Sequence, residues 1–152
     1  LIHQNLYNEG NIKGILMEDY IKNLVENLFQ SYNIQKDKIQ LVTDIGHLNL
    51  DIDTVIPLGL ILNELISNSL KYAFKEKEQG VIKVILKEQD HVLELKVKDN
   101  GAGFPPNWNR IKSNSFGFNL INAFAQKLKA KMEVYNDNGA CVSMNISRYK
   151  LA

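Results

Sequence analysis

What the chain lacks narrows its chemistry before anything it contains. Its one cysteine in 152 residues, Cys141, excludes an internal disulfide and accords with a reducing setting. The three histidines, His3, His47 and His91, share no ligand spacing with one another or with Cys141, which leaves a structural zinc site without a donor set. The formal net charge is +1, so there is neither the broad basic field that would imply a nucleic-acid partner nor an acidic tail. No apolar run approaches the roughly 20 residues needed to cross a bilayer, and no signal peptide opens the chain. Repeats, low-complexity tracts and domain linkers are also missing. The first residue is Leu1 rather than methionine, so the expectation is an excised piece of a longer protein: a cytoplasmic domain whose parent is either soluble or membrane-bound.

What remains is a hydrophobic fraction of 45%, enough for one compact domain with a real core. Residues 1–9 (LIHQNLYNE) read as the tail of a helix begun upstream, and 8–14 as a loop. Tyr20, Ile21, Leu24, Val25, Leu28 and Phe29 recur at three- and four-residue spacing, which predicts an amphipathic helix over 18–32. Short strands follow at 39–43 and 47–50. Asp53 is the expected cap of a long apolar helix through Phe74, with Pro57 in its first turn. Strands at 82–87 and 93–98, joined near 89–91, read as a hairpin, with 75–80 a charged turn before it. A helix over 118–130, a strand at 132–135, an Asn138–Gly139 turn and a strand at 140–146 complete the chain. The pattern predicts an α+β fold with helices stacked on one face of a mixed, mostly antiparallel sheet.

Three stretches carry chemistry. In NELISNSLKYAF (63–74), successive residues turn by about 100°, so Glu64, Asn68 and Lys71 fall within roughly 60° of one another beside the apolar face. A carboxylate, an amide and an ammonium in a row suit a ligand bearing phosphate and a hard divalent ion. Asn68 offers an uncharged oxygen to magnesium, Lys71 a compact cation to phosphate, and Glu64 a group to orient or deprotonate a nucleophile. Taken alone, the same residues fit an ordinary half-exposed helix with polar residues on its flank at least as well. In KVKDNGAGFP (96–105), Asp99 ends a strand where its carboxylate can accept from an exocyclic amine, and Gly101 and Gly103 permit positive φ and close backbone approach. A plain hairpin turn explains DNG as well, but it requires no second glycine followed by Phe104, Pro105 and Pro106. In SFGFNLINAF (115–124), Gly117 precedes a helix whose first N–H groups can face an anion. Residues 104–115, with Asn107, Asn109, Arg110, Lys112 and Asn114, are either a lid reaching the phosphates or a solvated loop, and Trp108 either caps the site or anchors that loop.

In their order, these stretches resemble the catalytic, ATP-binding domain of sensor histidine kinases, within the superfamily of gyrase, the Hsp90 chaperones and MutL. ELISNSLKYAF is similar to the N box, DNGAGF to the first glycine box and SFGFNLI to the second. LDIDTVIPLGLILNELISNSLKYAF, with a short lid, is closer to the subfamily with a second-type HisKA dimerisation domain, which commonly ends in a stretch similar to LIHQNLYN. The resemblance implies the two-layer α/β sandwich of the Bergerat ATP-binding fold, with residues 1–9 ending a dimerisation helix and 10–152 forming the catalytic domain. It implies ATP and Mg2+ as ligands, with Asn68 on the metal, Lys71 and Tyr72 on phosphate and nucleoside, and Asp99 on the adenine amine. Gly101, Gly103 and Phe104 form the adjoining turn, Ser115, Phe116 and Gly117 the second glycine box, and Ser143 a strand hydroxyl near adenine. Glu64 matches the general base of the ATP-hydrolysing relatives. Ser115 stands where many of these kinases have a glycine, and no phosphoacceptor histidine is present, His3 being at the far end of the domain that carries it. The implied reaction is γ-phosphoryl transfer to a histidine on an upstream dimerisation domain, then to a response regulator, in a homodimeric parent. The alternatives are an ATPase of the same superfamily, a degenerate nucleotide-binding module and, further off, an anti-sigma-type serine kinase.

Overall fold

A computed structural model describes residues 14–35, 37–74, 79–108 and 115–152. In chain order these form β1 (Ile15–Leu16), α1 (Met17–Ser31), β2 (Ile39–Ile45), β3 (Asn49–Leu50), α2 (Ile52–Asn68), a π-turn (Ser69–Ala73), β4 (Gly80–Gln89), β5 (Val92–Asp99), α3 (Phe116–Lys127), β6 (Ala130–Asn136) and β7 (Ala140–Ile146). The strands β2, β4, β5, β7 and β6 lie side by side in that order. β2 runs parallel to β4 and every other pairing is antiparallel. Strand alternation decides which face is covered. Ile82, Val84 and Leu86 of β4, Leu93, Leu95 and Val97 of β5, and Val142, Met144 and Ile146 of β7 are all buried. They form one core with the apolar stripes of the three helices, including Leu24 of α1, Leu62 of α2 and Ile121 of α3. Lys83 and Lys87 on the opposite face of β4 are exposed, so the helices form a single layer on one side of the sheet. This is the α+β sandwich expected.

The helix layer interlocks at a small residue. A side chain at Gly59 of α2 would collide with the hydroxyl of Tyr20 on α1, so glycine lets the two helices meet there. Burial pushes the Tyr20 phenol up to about 12 from its usual 10.0.

Several boundaries differ from the sequence reading. β3 joins β1 in a separate two-stranded pair rather than the main sheet, in a register that sets Ile15 opposite Leu50. Strands of two residues are too short to reveal an alternation. The cap of α2 is Asp51 rather than Asp53, its carboxylate accepting from the Asp53 N–H at 3.2 Å. Pro57 therefore lies inside the helix and not in its first turn. The donor it lacks would have served the carbonyl of Asp53, four residues back and still in that first turn. The helix placed at 118–130 is α3, and it starts earlier, at Phe116, because Ser115 caps it and accepts from Phe118 N–H at 3.3 Å. The expected upstream helix end at 1–9, and the lid residues 109–114, lie outside the described residues.

Candidate nucleotide site

The flank of α2 opens onto a cleft, and its last turn changes register there. Regular helix ends at Asn68, and Ser69–Ala73 forms a π-turn, a widening often found at functional sites. This buries Ser69 and Ala73 while leaving Lys71 and Tyr72 exposed. Ser69 Oγ donates to Asp99 Oδ2 at 2.9 Å. The Ala73 carbonyl accepts from the Ala102 N–H at 3.0 Å, fixing the glycine turn against the helix end.

Asp99 ends β5 with only 3% of its surface exposed. An unpaired buried carboxylate would be prohibitively costly, and here three donors offset that cost. Oδ1 accepts from the N–H groups of Gly101 (2.9 Å) and Ala140 (3.1 Å), and Oδ2 from Ser69. A carboxylate has about four lone-pair positions, so one acceptor position is left beyond these three.

The two glycines of the turn serve different ends. Gly101 has no positive φ, but a Cβ there would run into the Ala73 carbonyl. Gly103 adopts φ +81°. Past it, Phe104 stacks on Trp108 (ring centroids 4.3 Å apart), and Trp108 meets Phe118 edge-on at 4.8 Å. The buried indole N–H of Trp108 has no hydrogen-bond partner among the described residues.

On the far wall, a Cβ at Gly117 would lie 2.8 Å from Glu64 Oε2, which places that carboxylate against the first turn of α3. The positive end of a helix favours an anion at that point. Asn68 is half-buried and makes no side-chain hydrogen bond among the described residues. Lys71 Nζ lies 5.9 Å above the ring of Tyr32, at the end of α1.

These walls enclose a cavity of about 700 Å³. It is lined by Glu64, Asn68, Lys71, Tyr72, Asp99, Gly103, Phe104, Ser115, Phe116 and Gly117, all singled out in the sequence. Gly101 supports the turn from behind. Ser143 belongs elsewhere: alternation along β7 turns Ala140 and Val142 into the cleft and Ser143 to the other face, opposite Lys96 and Glu133. A hydroxyl on that face cannot reach a base lodged among the helices. Ser69, the side-chain partner of Asp99, carries no signal in the sequence. In a regular helix it would project about 100° away from Asn68, and the π-turn has no signature in the sequence. The donor Ala140 and the wall residue Phe118 also become visible only in three dimensions, whereas Trp108, which the sequence leaves to cap the site or anchor its loop, lines the cleft.

A cleft between a helix layer and a sheet, floored by a buried carboxylate and edged by a glycine turn and the first turn of α3, marks an α/β sandwich with a ligand-sized seam between its layers. Residues 53–150 match the family model described as histidine kinase-, DNA gyrase B- and HSP90-like ATPase, and the chain belongs to that family. Residues 1–32 match a second model, described as histidine kinase. Blue-light-activated histidine kinase 2 of Erythrobacter litoralis is 25% identical over 119 residues, covering 75% of this chain and 31% of the relative. Sensor histidine kinase PdtaS of Mycolicibacterium smegmatis is 29% identical over 82 residues, covering 53% and 16% respectively. The chain thus spans a third or less of the length of these relatives. Among solved structures, the histidine kinase domain of an Erythrobacter litoralis blue-light-activated kinase superimposes with a TM-score of 0.83 at 20% identity, over 97% of this chain and 70% of that one, a likeness of fold. No helix of the described residues is long and apolar enough to cross a membrane.

Proposed function

We propose that the cleft holds ATP with its adenine amine on Asp99 and its phosphates toward Asn68, Lys71 and the start of α3, and that the domain passes the γ-phosphoryl group to a histidine upstream. What carries this reading is that the Asp99 carboxylate and the Asn68 amide, which has no partner among the described residues, open onto one cavity of about 700 Å³, within the range that small-ligand sites occupy. Gly101, Gly103 and Phe104 shape the turn beside the base, Tyr72 flanks the nucleoside, and Ser115, Phe116 and Gly117 present the N-terminus of α3 to phosphate.

The donor set fits magnesium delivered with its nucleotide. Among the described residues no group of three or more His, Cys, Asp or Glu could hold a metal ion. Asn68 would then contribute one neutral oxygen, the phosphates and water the remainder, and the ion would neutralise charge on the transferring group. The rest of catalysis is positioning: a nitrogen of the acceptor imidazole attacks the γ-phosphorus in line, the bond to the β–γ bridging oxygen breaks, and ADP leaves. In this reading residues 1–9 close the dimerisation helix, 10–152 form the catalytic domain, the parent is a homodimer, and a response-regulator aspartate takes the phosphoryl group next.

Glu64 favours a second reading. Its carboxylate beside Gly117 would be placed to orient water, and the domain would then be an ATPase. Incubating the chain with labelled ATP, alone and fused to the upstream helices of its parent, separates the two. The kinase reading expects acid-labile phosphohistidine only when those helices are present. Steady phosphate release by the isolated chain, without phosphohistidine in either form, would establish the ATPase instead.

A further inference from the structure

The β6–β7 hairpin straddles the turn that carries Asp99. At one end of the hairpin, the Ala140 N–H donates to Asp99 Oδ1, and Gly139 (φ +140°) packs so closely on the Asp99 carbonyl that a side chain there would collide with it. Across the same turn, the side chain of Asn136, the last residue of the edge strand β6 and the register partner of Ala140, reaches to Phe104. Its Oδ1 accepts from the Phe104 N–H at 2.7 Å and its Nδ2 donates to the Phe104 carbonyl at 3.0 Å. The amide thus satisfies both backbone groups of one residue, as a neighbouring strand would. The approach is close enough that a Cβ at Gly103 would lie 2.9 Å from Asn136 Oδ1. Phe104 is the first member of the Phe104–Trp108–Phe118 row, and all three rings line the cleft.

We infer that Asn136 is a positioning residue for nucleotide binding: by clamping Phe104 it sets both the Asp99–Phe104 turn and the aromatic wall of the cleft. The inference rests on the cleft being the ATP site. Only a side chain that accepts and donates at this reach fits the clamp. Alanine supplies neither bond, and an ionised aspartate would set a second acceptor against the Phe104 carbonyl. Because Asn136 is exposed at the end of an edge strand, its loss leaves the core intact. A control lies one residue away. Asp137 pairs with Lys98 at 2.8 Å and steadies the same hairpin without touching Phe104. Trp108, the chain's single tryptophan, reports on the wall directly.

The experiment compares the wild-type chain with Asn136→Ala, Asn136→Asp and Asp137→Ala. ATP affinity is measured by calorimetry, acrylamide quenching of Trp108 without nucleotide, and thermal unfolding of each variant. Asn136→Ala is expected to weaken ATP binding about tenfold, the loss of two hydrogen bonds of ordinary worth, and to make Trp108 more readily quenched while the protein stays folded. Asn136→Asp should lose a similar amount at pH 7 and recover toward wild type as its carboxyl protonates and can donate, whereas Asp137→Ala should bind as wild type does. If Asn136→Ala binds ATP normally, or if Asp137→Ala loses as much, the clamp is ordinary hairpin stability and the inference is overturned. If the wild-type chain binds no ATP, the proposed function fails and takes this inference with it.

Discussion

Asp99 illustrates how a group can be structural and open to a cleft at once. Its Oδ1 is committed to two backbone N–H groups, while Oδ2 is shared between Ser69 and the cleft. Asp99→Asn can keep its carbonyl oxygen on the backbone pair only by turning its NH2 toward Ser69 and the cleft. The serine hydroxyl can rotate and accept, so the fold should survive, but an adenine amine would meet a donor. We expect ATP binding to weaken by about 1.5–3 kcal/mol with little change in unfolding midpoint, measured by calorimetry and urea titration. Unchanged affinity would remove adenine from this wall. Ser69→Ala withdraws one donor from a buried carboxylate, with an expected cost of about 1–2 kcal/mol in stability and a smaller loss in ATP affinity. Asn68 makes the opposite case, since no described side chain or backbone group engages its amide. Asn68→Ala should therefore leave stability and adenosine binding nearly unchanged and reduce affinity for Mg-ATP, and equal losses for the two ligands would contradict a metal contact.

The long helix and its π-turn mark where sequence reasoning holds and where it stops. The apolar stripe of α2 and the flank bearing Glu64, Asn68 and Lys71 follow from a 100° step, and the structure brings those three to one cavity. β7 also spans the residues its alternation indicates. Ser143 lies on the opposite face from the cleft; motif likeness carries no parity, and one step along a strand reverses the face. Ser69 and Asn136 stayed hidden because their partners lie 30 and 32 residues away, and no local pattern encodes such distances. Gly101 was legible as a glycine that matters, though its role is contact rather than φ. Gly101→Ala would drive a methyl group into the Ala73 carbonyl and break the Ala102 bond beside it. A loss of about 1–3 kcal/mol in urea denaturation is expected, together with weaker nucleotide binding. The α1–α2 contact carries a pH signature instead. The folded state holds the Tyr20 proton up to about 12 while the unfolded chain releases it near 10.0, so this contribution is complete below pH 10 and disappears as pH rises through 12. Tyr20→Phe should flatten that alkaline loss in chemical denaturation measured from pH 9 to 12.

The cleft is a seam between two layers that share one core beneath it. α2 and α3 supply Asn68, Glu64 and Gly117, and the sheet supplies Asp99 and Val142. A ligand filling that seam contacts both layers and favours the folded chain by mass action, so stability should register occupancy even without phosphoryl transfer. At an ATP concentration about 100 times its dissociation constant, with magnesium, the folded state gains about 2.7 kcal/mol. A domain of this size gains about 2–4 °C per kcal/mol, so the midpoint should rise by about 5–11 °C. The variants then resolve where the energy comes from. In Asp99→Asn at the same ATP concentration, a loss of 1.5 kcal/mol or more in binding leaves about half of that stabilisation or less. In Asn68→Ala the rise should become insensitive to removing magnesium with a chelator, whereas the wild-type midpoint should fall when the metal is taken away. A wild-type midpoint that ignores ATP across this range would mean that the two layers do not meet over a nucleotide.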